Sequence, residues 1–223
     1  MEKIFGNIIK KNFYYFNIYV IRGKHGDILI DKGFICIKRR VKKWLDQFNI
    51  KLIILTHVHV DHSWNTKFIK DLYNCQVAIG KQDKKNIDNS KINSIPKNKY
   101  FSIWTKLMNL GMSKFIPDEY EIDYYLKNNE VIKKYGLELK IISLKGHTTG
   151  SIGIKYKDYL FVGDALVNRG PKVSIAYQNQ HPDHTYKSVK KILKENPKIV
   201  FVGHDKEITK DKLFSSFKSI DKA

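Results

Sequence analysis

Cysteine is nearly absent from this 223-residue chain: only Cys36 and Cys75 occur, and they form no C-x-x-C pair. That excludes a disulfide framework and a thiolate zinc site, and it suits a reducing, cytoplasmic setting. Arginine is scarce as well. The chain carries 41 basic and 22 acidic residues, a net charge of +19, yet its arginines are only Arg22, Arg39, Arg40 and Arg169. Phosphate and base-edge recognition favours the rigid guanidinium fork. A lysine surplus scattered along the chain speaks for biased composition over a binding stripe, so nucleic acid is an admissible but disfavoured partner. No apolar run reaches the ~18 residues of a membrane span. The stretch NFYYFNIYVI is broken by Tyr and Asn and precedes no small-residue cleavage site, so no signal peptide is expected. There is no G-x-S-x-G and no convincing Ser or Cys triad, which argues against a covalent nucleophile.

What the chain does have is a globular composition, 42% hydrophobic and 28% charged, at a length that fits one domain over 1–223. Residues 13–22 and 27–31 read as strands separated by the turn RGKHG. Residues 36–49 space Ile37, Val41, Trp44, Leu45 and Phe48 as an amphipathic helix. KLIIL (51–55) reads as a buried strand, 64–74 as a helix and CQVAIG (75–80) as a strand. From 131 to 164 short strands alternate with glycine turns; a helix at 185–195, the strand of KIVFVGHD and a helix at 209–220 follow. Residues 85–128 are expected to form a helical insertion over the active site. There Trp104, Leu107, Met108, Leu110, Met112 and Phe115 suit either an apolar wall for an acyl chain or the core of a helix pair.

The chemistry concentrates at strand ends. THVHVDHSW (56–64) follows the apolar strand 51–55 and holds three of the chain's eight histidines. His57 and His59 stand two apart on an extended segment and point one way. Asp61 and His62 come as the chain turns into a helix and can face a second centre. GHTTGS, GDAL and VGHD deliver His147, Asp164 and His204 after three further apolar runs. Strand ends are where rigid scaffolds present reactive groups. One ion would take His57, His59 and His147, another Asp61, His62 and His204, with Asp164 bridging, the metals ~3.5–4 Å apart. Imidazole and carboxylate without thiolate suit Zn²⁺, two per chain, with Mn²⁺ or Fe²⁺ as other fits. His181 and His184, in HPDH, read as a surface loop or helix start, and His25 as a hairpin residue.

THVHVDH, GHTTGS, GDAL and VGHD, preceded by ILIDKG, resemble the five-motif signature of the metallo-β-lactamase superfamily from Asp31 to His204. The resemblance implies an α/β, four-layer αββα sandwich with a binuclear site at one edge. It implies metal ligands at His57, His59, Asp61, His62, His147, Asp164 and His204, with Asp31 a supporting residue. A hydroxide between two zinc ions would attack the substrate. Asp61 would accept a proton and pass it to the leaving group.

Comparison of branches narrows the expectation. β-Lactamases of this family lack a bridging Asp, so Asp164 argues against one. Glyoxalase-II-like thioesterases keep all seven ligands and add a helical domain that grips glutathione; only 19 residues follow His204, and that domain is expected to be absent. RNA-processing members insert a nuclease domain or carry an exosite arm, and only 39 residues separate Asp164 from His204. Lactonases often place Tyr three residues after the bridging Asp, where Val167 stands; Tyr177 is a substitute from a nearby loop. The expected activity is hydrolysis of a small ester, thioester or lactone. The alternatives are a binuclear phosphodiesterase or ribonuclease, and a one-iron persulfide dioxygenase using His57, His147 and Asp164. A small-molecule substrate is the expected partner; oligomeric state is open, a homodimer included.

Overall fold

Alternation along the strands of the computed structural model assigns each apolar residue to a layer. The structure describes residues 2–33, 37–84, 120–176 and 179–218. A seven-stranded sheet runs in the order β1 (Glu2–Phe5), β2 (Ile8–Phe13), β3 (Phe16–Ile21), β4 (Asp27–Ile30), β5 (Ile50–Leu55), β6 (Gln76–Gly80) and β7 (Tyr124–Leu126). Its first four strands pair antiparallel, and β4 to β7 pair parallel. Parallel neighbours need crossovers, and α1 (Lys38–Leu45) supplies that between β4 and β5. A short α2 (Val60–Ser63) and α3 (Thr66–Tyr73) lie between β5 and β6.

The second sheet adds β8 (Val131–Lys134), β9 (Leu137–Ser143), β10 (Ile152–Tyr156), β11 (Tyr159–Gly163), β14 (Ile199–Val202) and β15 (Ile208–Thr209). Its one parallel pair is β11 with β14, bridged by α4 (Pro182–Lys194). A small ribbon of β12 (Leu166–Val167) and β13 (Ser174–Ile175) and a last helix, α5 (Lys210–Ser216), complete the described elements.

Three apolar clusters define four layers. Tyr19, Ile21, Ile28, Ile30, Leu52 and Ile54 of the first sheet meet Ile141, Ile152, Ile154, Phe161 and Phe201 of the second. The residues one step along, Val20, Leu29 and Ile53, turn outward onto Val41, Trp44, Leu45 and Ile69 of α1 and α3. On the far side Leu160, Val162 and Val200 pack under Val189, Ile192 and Leu193 of α4 and Leu213 of α5. The period of two that sorts strand faces thus builds the expected αββα sandwich.

Two expectations change. The run 13–22 is not one strand: Tyr14 takes φ 59° and the chain reverses into the β2–β3 hairpin. Within the 85–128 segment, Tyr124–Leu126 are a strand rather than helix, pairing with Ala78–Gly80 as β7. Residues 85–119, with Trp104, Leu107, Met108, Leu110, Met112 and Phe115, lie outside the described residues, as do Cys36 and Tyr177. Cys75 is a free, buried thiol whose pKa burial pushes up to about 11. Among the described residues no helix is long and apolar enough to cross a membrane.

Candidate metal centre

Carboxyl ends of parallel strands gather ligands in open α/β sheets, and three of the four donor-bearing loops here leave such ends. His57 and His59 follow β5, with Asp61 and His62 on α2 just beyond; Asp164 follows β11 and His204 follows β14. His147 leaves β9 through the turn 144–151. Two glycines bring the loops into contact. Gly163 has φ 52°, and a Cβ there would stand 2.3 Å from Thr56 Oγ1. A Cβ on Gly203 would stand 2.2 Å from Asp164 Oδ1 and 2.5 Å from His62 Cε1. All three distances are far inside van der Waals contact, so only the smallest residue admits this approach.

All seven side chains singled out in the sequence converge, in two groups. His57, His59 and His147 form one; Asp61, His62, Asp164 and His204 form the other, with the donor atoms of each group within 4.8 Å of one another. His57 Nε2 lies 3.2 Å from His147 Nε2, and His62 Nε2 lies 3.4 Å from His204 Nε2. Asp164 stands between the groups. Its Oδ2 is 3.7 Å from His147 Nε2 and 3.2 Å from His204 Nε2, while its Oδ1 is 3.4 Å from His62 Nε2. Asp61 Oδ2 lies 3.4 Å from His204 Nε2 and 3.7 Å from His62 Nε2.

The opposite ring nitrogens are engaged. His62 Nδ1 lies 3.0 Å from Asp31 Oδ2, and His204 Nδ1 lies 2.7 Å from Tyr15 O. Both partners only accept, so these Nδ1 atoms carry the protons. These contacts turn the Nε2 atoms of the two rings toward each other. Asp31 also accepts from Thr56 N at 2.9 Å and from Thr56 Oγ1 at 2.8 Å; Thr56 Oγ1 in turn lies 3.1 Å from His57 Nδ1. One buried carboxylate therefore aligns a histidine in each group. Asp31 has φ 51°, an uncommon setting for a non-glycine residue and the kind found at functional sites.

Electrostatics separate the groups. Burial, with His62, His147 and His59 nearby, holds His57 well below its usual pKa; burial also lowers His59. Burial opposes charge on His62 too, but Asp164, Asp61 and Asp31 outweigh it and hold His62 well above 6.5. At His204 burial is likewise overcome, chiefly by Asp164, and the value rises to about 10. Burial works against ionised Asp61, yet His62 and His204 pull it down to about 2.

Three supports escaped the sequence reading. Asp83, fully buried after β6, accepts from Gly150 N at 2.8 Å and from Thr148 Oγ1 at 2.9 Å, pinning the His147 turn. Lys32 is fully buried and donates to His62 O at 3.3 Å; burial draws its pKa to about 7 against the pull of Asp31. The third is the Tyr15 carbonyl. Asp31 was expected as a support, and Thr56 had a signal, since it opens the histidine motif. His181 and His184 lie at the start of α4, with ring centroids 5.7 Å apart and outside both groups.

Two stacked sheets with a histidine and aspartate cluster at their common edge define the architecture of a metal-dependent hydrolase. The family model described as the metallo-beta-lactamase superfamily matches residues 14–204, and the chain belongs to that superfamily. A probable metallo-hydrolase of Methanocaldococcus jannaschii is 34% identical over 168 residues, 73% of this chain and 74% of that one. Hydroxyacylglutathione hydrolase 1 of Vibrio vulnificus is 28% identical over 195 residues, 84% of this chain but 61% of the relative's own length. A subclass B3 metallo-beta-lactamase of Bradyrhizobium japonicum aligns with a TM-score of 0.68 at 20% identity, covering 89% of this chain and 75% of that one. Likeness at that identity speaks for the fold alone.

Proposed function

We propose that the chain is a binuclear zinc hydrolase of a small ester, thioester or lactone. The close-set Nε2 and carboxylate donors carry the reading. Nitrogens 3.2 to 3.4 Å apart, with the Nδ1 of His62 and His204 already protonated, repel unless a cation or a proton lies between them. A proton joins two nitrogens at most, whereas each group gathers three or four donor atoms within 4.8 Å of one another. A tetrahedral ion with ~2.0–2.1 Å bonds to nitrogen needs donors ~3.4 Å apart. The donor pairs described above stand 3.2 to 3.7 Å apart. An all-imidazole and carboxylate set suits zinc, with manganese or iron as substitutes.

His57, His59 and His147 would hold one ion, Asp61, His62 and His204 the other, and Asp164 both. Such ions supply Lewis acidity, polarising the scissile bond and acidifying water. The chain's own residues do the rest. Asp31 and Thr56 fix the tautomers of His57 and His62. Asp61, whose side chain is 31% exposed against 12% for Asp164, is the carboxylate open to an entering substrate. It stands ionised at neutral pH and can take the proton that attacking water sheds, then return it to the leaving atom. The hydroxyacylglutathione hydrolase name of a relative makes thioesters a fitting class to test.

Elemental analysis of the purified full chain should find two ions, and turnover of a generic ester or thioester should vanish in His59→Ala. Protein that folds but takes up no zinc, manganese or iron overturns the reading. The +19 charge favours one rival, a phosphodiesterase on the same ions. It predicts cleavage of RNA and salt-sensitive binding; no affinity for oligonucleotides at low salt removes it.

A further inference from the structure

A cavity of about 900 Å³ shares the loop after β14 with the candidate centre, and the proposed reaction leaves it unused. That volume lies within the ~300–1,000 Å³ usual for small-molecule sites. Asp205, in its wall, follows His204 directly, and Arg169 stands on the turn between β12 and β13, one short strand beyond Asp164. Asn17 ties the opposite wall to the end of β14. Its backbone N–H donates to Gly203 O at 2.9 Å, and its Nδ2 donates to Val202 O at 2.9 Å and Asp205 O at 2.8 Å.

The lining is strongly cationic. Lys3, Lys10, Arg169, Lys206 and Lys212 face only two carboxylates, Asp205 and Glu207, which leaves three positive charges in excess. Glu207 is taken by Lys3 at 2.6 Å and Lys10 at 3.0 Å, and Asp205 by Arg169 at 3.2 Å. Lys212 has only neutral acceptors, Asn168 Oδ1 at 2.5 Å and Gly170 O at 3.1 Å. Lys10 is 5% exposed; burial lowers its pKa against the pull of Glu207. A half-open cavity whose lining is positive on balance draws an entering anion, and a buried ammonium of this kind gains from a further anion.

We propose that this cavity binds the anionic tail, carboxylate or phosphate, of the substrate cleaved at the neighbouring centre. The proposal rests on the hydrolase reading. Arg169 offers the planar fork that matches either anion, and Lys206 and Lys10 add ammonium charge. Residues 205–207 of the lining continue the chain from His204, and Asn17 is bonded to Gly203 and Asp205, so the tail and the scissile bond are presented by one edge.

The test compares esters of one acyl length that end in a methyl, a carboxylate or a phosphate, on the metal-loaded full chain. At least one anionic ester should exceed the methyl ester about tenfold or more in kcat/KM, the worth of one or two charged hydrogen bonds. The stronger of the two identifies the tail. Arg169 and Lys206 are exposed, so the double variant Arg169→Gln, Lys206→Gln should fold; it should lose the preference mainly through KM. Equal turnover of all three esters by the wild type overturns the cavity's role while leaving the hydrolase reading intact. If none is turned over, calorimetry with inorganic phosphate decides alone. Weaker binding in the double variant supports the site and equal binding overturns it. An oligonucleotide that the double variant no longer binds, and that phosphate does not displace, also overturns it and assigns the surface to nucleic acid.

Discussion

His62 and His204 face each other across 3.4 Å, yet opposite means hold them. His62 is 1% exposed, and its orienting partner is a side chain, Asp31, locked in turn to Thr56. His204 is half-buried, and its partner is a main-chain carbonyl on the turn between β2 and β3. The side chains of that turn, Tyr14 and Tyr15, point outward, 63% and 78% exposed. A carboxylate can be removed by one substitution; a carbonyl cannot. The first corner therefore depends on residue identity at 31 and 56, and the second on the path of the backbone.

Substitutions should expose that asymmetry. Asp164→Asn strikes both corners at once and carries the largest expected effect. Activity should fall by more than the about 10–100-fold usual for an outer partner of a metal ligand, and elemental analysis should show lost metal. Asp31→Asn should cost about 10–100-fold in metal affinity, measured by competition with a chelator, because an amide can donate to His62 where a carboxylate only accepts. An unchanged affinity would erase the difference between the corners.

The 205–207 turn beyond His204 gives a smaller, pH-dependent effect. Burial works against ionised Glu207, but Lys3, its own backbone amide and Lys10 pull its pKa down to about 2. The folded value lies below the unfolded ~4.3, so Glu207 stabilises fully above that pH and the contribution fades as pH falls toward 2. Urea melts of Glu207→Gln should accordingly lose less stability than wild type between about pH 5 and pH 2. Partial exposure keeps the difference modest. Smallest of all is Tyr15→Ala. It keeps the carbonyl, so thermal melts should shift by no more than about 0.5 kcal/mol and metal content should hold. A large loss would show that the side chain, not the backbone, fixes His204.

The legible part of the centre was the part written in adjacent letters. Three histidines and an aspartate after KLIIL, and single donors after three other apolar runs, named all seven converging groups, because β-strands end where apolar runs stop. The layers followed from alternation at residues such as Val20, Ile21, Leu29 and Ile30. The supports were illegible for a physical reason. Asp83 meets Thr148 and Gly150 only after the sheets stack, and nothing local marks a buried carboxylate. Tyr14 adopts a left-handed backbone with no Gly, Asn or Pro beside it, so the aromatic run hid the hairpin that carries the Tyr15 carbonyl. Lys32 looked like one more solvated lysine among many.

The donors come from both halves of the sandwich: His57, His59, Asp61 and His62 from the first sheet, His147, Asp164 and His204 from the second. Ions held there act as rivets through the seam, and whatever binds only the folded form adds about 2.7 kcal/mol to stability at a hundred times its dissociation constant. A centre loaded in this way would join metal supply to the lifetime of the folded chain, so starvation for metal would thin the protein's numbers as well as silence it.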